Sequence, residues 1–293
     1  MKRNMIKRCI DAINFRLRFY LKNSKRLTFL EVLELKGKLF LFMFFIYALI
    51  KEIHIYLSYF LKKPNNPIVK CVLFGQGRTG CSTLGKLLSS HPQFQYDDEI
   101  LHFNVFFPKL FIKAMCALSK KDIYGFKIKI YQLTKSQNIQ DPKQFMHELY
   151  RQGWKIIYVK RRNFLHREVA ASTAKSRRLR FESEDTPSNG VKIYIDCKGL
   201  IEGLQRREMY LAQEEEILKN LPHITIVFED DLLRAENHQR TLDKIFDYLG
   251  LPSVPVKTIF LRTASKRLSD SIQNYEEVVG VISQTKYVKF LED

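Results

Sequence analysis

The stretch LFGQGRTGCSTLGKLLSSHP, Leu73 to Pro92, constrains this chain more than any other. An apolar run with β-branched residues, IVKCVLFG, ends on Gly75; helical spacing begins just past Gly80 and stops at Pro92. Strand, glycine turn and helix in that order open an α/β unit, and such a turn presents backbone N–H groups to an anion. Gly75, Gly80 and Ser82 fall where the phosphate-loop pattern G-x-x-x-x-G-K-[ST] requires them, while Cys81 stands at the lysine position. The turn can hold a phosphate with charge supplied by Arg78. It lacks the lysine that reaches the β and γ phosphates of a nucleoside triphosphate.

Further strands are expected at IYGFKIKI, WKIIYVK and HITIVF. The last two precede helical patterns, FLHREVAASTAKSRR and NHQRTLDKIFDYLG. Strands alternating with helices predict a mostly parallel sheet covered on both faces, with ligands at the carboxyl ends of its strands. The polar stretch Glu182 to Gly190 reads as a surface loop.

The net charge of +18 is concentrated at the front of the 293-residue chain. Residues 1–70 carry 15 Lys/Arg against 4 Asp/Glu. Within them the uninterrupted apolar run Leu39 to Ile50 is short of the roughly 20 residues that span a bilayer. Lys51, Glu52 and His54 interrupt it. The expectation is a helical extension, residues 1–63, lying in or dipping into an anionic membrane interface; the alternative is a helix packed on the domain. Pro64 to Pro67 reads as a linker into an α/β domain over 64–293. Five cysteines without C-x-x-C spacing fit a reducing compartment, and no cluster of His and Cys has metal-ligand spacing.

RTGCSTLGKLLSSHP, Arg78 to Pro92, resembles the 5′-phosphosulfate loop of sulfotransferases that use 3′-phosphoadenosine 5′-phosphosulfate (PAPS). That loop reads R-[ST]-G-[ST]-[ST]-L-L, then two helical turns and H-P; Cys81 replaces one of its hydroxyl residues. WKIIYVKRRNFLHREVAAS is similar to the family's 3′-phosphate segment. Its serine is expected where Ala170 stands, and Ser172 is the substitute. ITIVFEDDLLRAENHQRTLDKIFDYLGLP resembles the Y-E-D-L and L-G-L-P segment, and TASKRLSDSIQNYEEVVGVISQTKYVKFL, Thr263 to Leu291, is similar to the C-terminal segment of bacterial carbohydrate and lipid members. The resemblance covers roughly residues 68 to 290. It implies a three-layer P-loop-type fold and sulfuryl transfer from PAPS to a hydroxyl of a carbohydrate or glycolipid, with no metal.

The resemblance also implies roles. Gly77, Arg78, Thr79, Gly80, Cys81, Ser82 and Thr83 would hold the 5′-phosphosulfate, with Arg161, Arg162 and Ser172 on the 3′-phosphate. Arg78 would also stabilise the leaving group. Glu99 in YDDEILHF is the candidate base, with His102 as its understudy; Lys127 in YGFKIKI would touch sulfate or acceptor. Read from the residues alone, Asp97, Asp98 and Glu99 are equally a solvated acidic turn. Cations at a helix start make an anionic ligand the economical reason for Arg161 and Arg162. His166 and Arg167 are read as exposed helix residues, Glu229 and Asp230 as structural, and Phe103, Phe106, Phe107 and Phe111 either as core or as an apolar wall for a lipid-linked acceptor or a second contact with the bilayer.

The expected location is the cytoplasmic face of a bacterial inner membrane, or a Golgi-type membrane. Two rivals remain open: a P-loop kinase or NTPase, and a non-catalytic basic protein binding anionic lipid or nucleic acid.

Overall fold

The computed structural model describes residues 31–62, 65, 67–180, 192–256 and 267–291. The basic segment before residue 31, the stretch Glu182 to Gly190 and residues 257–266 of the C-terminal region lie outside them. The fold is α/β with a five-stranded parallel sheet. Its strands are β1 (Val69–Gly75), β2 (Phe94–Asp97), β3 (Ile123–Ile128), β4 (Trp154–Lys160) and β5 (His223–Val227), in the order β2-β3-β1-β4-β5. β3 is buried at every position and β4 at five of seven. Near-continuous apolar runs are what strands covered on both faces require.

The helices are α1 (Glu31–Leu61), α2 (Cys81–Leu88), α3 (Pro108–Ala117), α4 (Pro142–Arg151), α5 (Phe164–Arg180), α6 (Cys197–Leu218), α7 (His238–Leu249) and α8 (Tyr275–Ser283). Sequence signals explain several of their ends. Pro108 starts α3 at a position where its missing N–H costs nothing. Gly250, at φ 75, closes α7 with its N–H donating to the Asp247 carbonyl.

The chain divides into two compact units. One comprises Met1–Lys70 with Gln93–Pro142. In it β2 and β3 pair in parallel from Phe94 opposite Ile123 to Asp97 opposite Phe126. α1 runs through the Lys51-Glu52 interruption as one helix, because Glu52 is not in solvent. It is 2% exposed and accepts hydrogen bonds from the Phe106 N–H at 2.6 Å and the Tyr56 hydroxyl at 2.7 Å. The Tyr56 ring meets Phe111 edge-on at 6.3 Å and Phe107 at 6.4 Å, so this part of the helix packs on α3. Among the described residues no helix is long and apolar enough to cross a membrane.

The other unit comprises Cys71–Pro92 with Lys143–Asp293. β4 and β5 pair from Ile156 opposite His223 to Lys160 opposite Val227. Behind them Leu165, Val169, Leu200, Leu204, Ile272, Val278 and Ile282 form one apolar cluster joining α5, α6 and α8.

Candidate functional site

The turn after β1 is built by close approach. A Cβ on Gly75 would sit 2.3 Å from the carbonyl oxygen of Val159 on β4, so no larger residue fits there without moving backbone. Gly80, at φ 94, is the N-cap of α2, and a Cβ there would lie 2.8 Å from both Leu232 and Phe228. Between these glycines Arg78 is left-handed, at φ 66, and exposed. A non-glycine residue held there stores strain, which is common where a turn serves a ligand. The Thr79 hydroxyl donates to the Gln76 carbonyl at 2.8 Å and lies 3.3 Å from Cys81 Sγ. Thr79 and Cys81 are both buried, so the residue at the lysine position packs inside the turn. Ser82 is exposed and Thr83 half-buried.

This turn and the end of β4 flank a shallow opening of about 200 Å³, open solvent included. In the order β2-β3-β1-β4-β5, the chain leaves β1 toward one edge and β4 toward the other, so the pocket lies at the switch point where parallel sheets bind ligands. Gln76 and Thr79 line it from the turn, Tyr158, Lys160 and Arg161 from β4 and its end, Arg167 from α5 and Glu214 from α6. Three of these residues carry a buried atom with no hydrogen-bond partner: Gln76 Oε1, Arg167 Nε and Glu214 Oε1. Buried polar atoms are nearly always satisfied, and exceptions concentrated at one pocket mark a place for a polar ligand or water.

Charge favours an anion there. Arg167 is 1% exposed, and its nearest acidic partner is Glu168 at 3.5 Å. Burial, with repulsion from Arg207 next, pushes its guanidinium down to about 9. Glu214 Oε2 accepts hydrogen bonds from Gln76 Nε2 and the Tyr158 hydroxyl, each at 3.1 Å. Burial nevertheless raises its carboxyl to about 7, leaving it a weak counter-charge to Lys160, Arg161 and Arg167. Arg161 lies with its guanidinium 4.5 Å from the Phe228 ring centroid and its Nε 3.7 Å from Glu229.

Arg167 corrects the expectation of an exposed helix residue. It follows Phe164 at helical spacing, on the face that also carries the buried Glu168. Glu168 in turn is gripped by Arg207 Nε, and Gly203 leaves room for it, since a Cβ there would sit 2.7 Å from its Oε2. Arg162 is not among the residues lining the pocket. Its guanidinium makes a two-pronged pair with Asp230, at 2.7 and 2.5 Å, on the surface. Glu229 accepts the backbone N–H of Arg162 and of Asn163, so an acidic residue of the chain itself supplies the anion at the start of α5. The structural reading of Glu229 and Asp230 therefore holds. Ser172 is half-buried on α5, about 12 Å along the helix from Phe164, and does not line the pocket.

Glu99, His102 and Lys127 belong to the other unit and form a cluster of their own. Lys127, 3% exposed, places its ammonium 2.7 Å from Asp98 and 3.0 Å from Glu99. Glu99 also pairs with Lys129, accepts from Gln132 Nε2 at 2.7 Å and lies 3.8 Å from His102 Nδ1. Burial works against the Glu99 charge, but Lys129 and Lys127 outweigh it and hold the carboxyl below its ordinary range. For Lys127, burial is likewise outweighed, by Asp98 and Glu99, and its pKa is raised. This is an ion-pair cluster, with Asp98 exposed and Glu99 half-buried, rather than a freely solvated turn. Among the described residues no group of acidic, His and Cys side chains could hold a metal ion.

No protein-family model and no curated protein matches this chain.

Proposed function

We propose that the chain is a sulfotransferase of three-layer P-loop type, moving a sulfuryl group from PAPS to a hydroxyl of a carbohydrate or glycolipid. The observation that carries the reading is the pocket at the ends of β1 and β4, lined by Lys160, Arg161, Gln76, Thr79 and the buried Arg167, whose Nε has no hydrogen-bond partner. Cys81, buried inside the turn, leaves no lysine for a triphosphate, which favours a donor bound through amides and guanidinium groups.

The donor supplies a sulfuryl group already activated on a phosphate. In this reading the N–H groups at the start of α2, together with Arg78, stabilise negative charge as it grows on the leaving phosphate. Lys160, Arg161 and Arg167 hold a second anionic group and so fix the ligand's orientation. Ser172 and Arg162 have no part in that grip. On the acceptor side Glu99 takes the hydroxyl proton. Its pairing with Lys127 and Lys129 keeps it ionised but weakly basic, so it acts late, once the hydroxyl oxygen has given electron density to the new S–O bond and its proton has become acidic. His102 keeps its place as understudy.

The test is incubation of the full chain with labelled PAPS and a total membrane lipid or glycan extract, followed by mass spectrometry. Sulfate added to an extract component, and lost with Arg161→Ala, supports the reading. Phosphate transferred from ATP by the same preparation, with no sulfate transferred, overturns it.

A further inference from the structure

α1 is two-faced in a way its role in the fold does not explain. Glu52, Ile55 and Ser58 are buried toward α3. The other side carries Tyr47, Ile50, Ile53, Leu57, Phe60 and Leu61, exposed from 47% at Ile53 to 82% at Leu61. At 100° per residue these six fall within an arc of roughly 140°, an apolar stripe interrupted by the exposed His54. Six large apolar side chains together on one face are more than scattered exposure, and a patch of this kind marks an interaction surface. Its charge selects the partner. Lys51 and Lys62 are exposed at one border of the stripe, and no exposed residue from Tyr47 to Lys62 is acidic. The thirty residues preceding the helix carry nine Lys/Arg against one Asp.

We infer that this face of α1 docks on the surface of an anionic lipid bilayer, with the Tyr47 to Leu61 stripe in the acyl boundary and Lys51 and Lys62 at the phosphates. Long lysine stems reach from an apolar border to a charged plane, the usual arrangement of an interfacial helix. A second copy of the chain fits less well. A two-fold pairing of the same face sets its lysines against one another with no acid to answer them. The inference stands on the α1 face alone and does not rest on the sulfuryl-transfer reading.

The test uses the full chain and vesicles of phosphatidylcholine with and without phosphatidylserine. The chain should bind the phosphatidylserine vesicles, and the double substitution Ile53→Glu, Leu57→Glu should weaken that binding by about tenfold or more. Both positions are exposed, so the fold is expected to survive and is checked by circular dichroism. In a second variant, Phe60→Trp, the new fluorophore adds to a single buried Trp154, and its emission should move to the blue on vesicle addition. Undiminished binding by the double variant, or no shift from Phe60→Trp, overturns the inference. So does sedimentation showing a lipid-free dimer that the same double substitution dissociates.

Discussion

Gln76 Nε2 donates to Glu214 Oε2 across 3.1 Å, tying the first residue after β1 to the C-terminal part of α6. The contact is buried on both sides and leaves one oxygen of each side chain without a partner. The glycine turn is thus braced from behind by a carboxyl whose charge burial disfavours. The arrangement gives Glu214 a measurable signature.

With its carboxyl raised from 4.5 to about 7 in the folded state, Glu214 binds its proton more tightly there than in the unfolded chain. Stability contributed by the protonated form is full below 4.5 and is lost as pH rises toward 7 and just above. At about 1.4 kcal/mol per unit, the loss is on the order of 3 kcal/mol. Urea unfolding across pH 4 to 8 should show that decline in the parent chain and a much flatter profile in Glu214→Gln.

Arg167→Met removes a buried cation whose nearest acid is 3.5 Å away. Burial and repulsion from Arg207 make this charge costly to hold, and Arg207 still pairs with Glu168 once it is gone. The unfolding midpoint should stay level or rise, while affinity for 3′,5′-diphosphoadenosine, followed by calorimetry, falls about tenfold or more. Parallel loss of stability and affinity would make Arg167 merely structural.

Gly80→Ala places a Cβ 2.8 Å from Leu232 and Phe228 in a backbone conformation that side chains disfavour. Thermal unfolding should show a loss of about 1 to 3 kcal/mol, with nucleotide affinity reduced because the start of α2 shifts.

Glu99→Gln keeps a partner for Gln132 but removes the charge between Lys127 and Lys129. Because the Glu99 carboxyl is held below its ordinary range, its stabilisation is present above about 4.5 and is lost as pH falls through the folded value. Glu99→Gln should therefore be less stable at neutral pH, with the difference closing in acid. Sulfuryl transfer should fall about 100-fold by product assay.

Much of this fold can be read in the chain before any coordinates. The apolar runs of β1 and β4 and the stops at Pro92 and Gly250 mark their elements, because strands buried on both faces exclude polar residues and helices need a terminator; β5, an edge strand with one buried position, is legible from its β-branched residues instead. β2 is not legible: its four residues, Phe-Gln-Tyr-Asp, form an edge strand too short and polar to separate from the acidic turn that follows.

The pocket was half legible. Thr79 and Arg161 carry motif signals, but Arg167 and Glu214 carry a different one. In α6 the buried positions Leu200, Leu204, Tyr210, Glu214 and Ile217 recur at helical spacing, with Arg207 on the same stripe. A charged residue on the inner stripe of a helix is the mark of a buried network, and periodicity alone reveals it.

The most direct test of the account is thermal unfolding with 3′,5′-diphosphoadenosine and a metal chelator, against Mg-ATP and against the same nucleotide lacking its 3′-phosphate. At a hundredfold excess over Kd the account predicts a midpoint raised by roughly 5 °C or more with 3′,5′-diphosphoadenosine alone, and that rise abolished by Arg161→Ala. A midpoint raised only by Mg-ATP, or unmoved by all three, contradicts it.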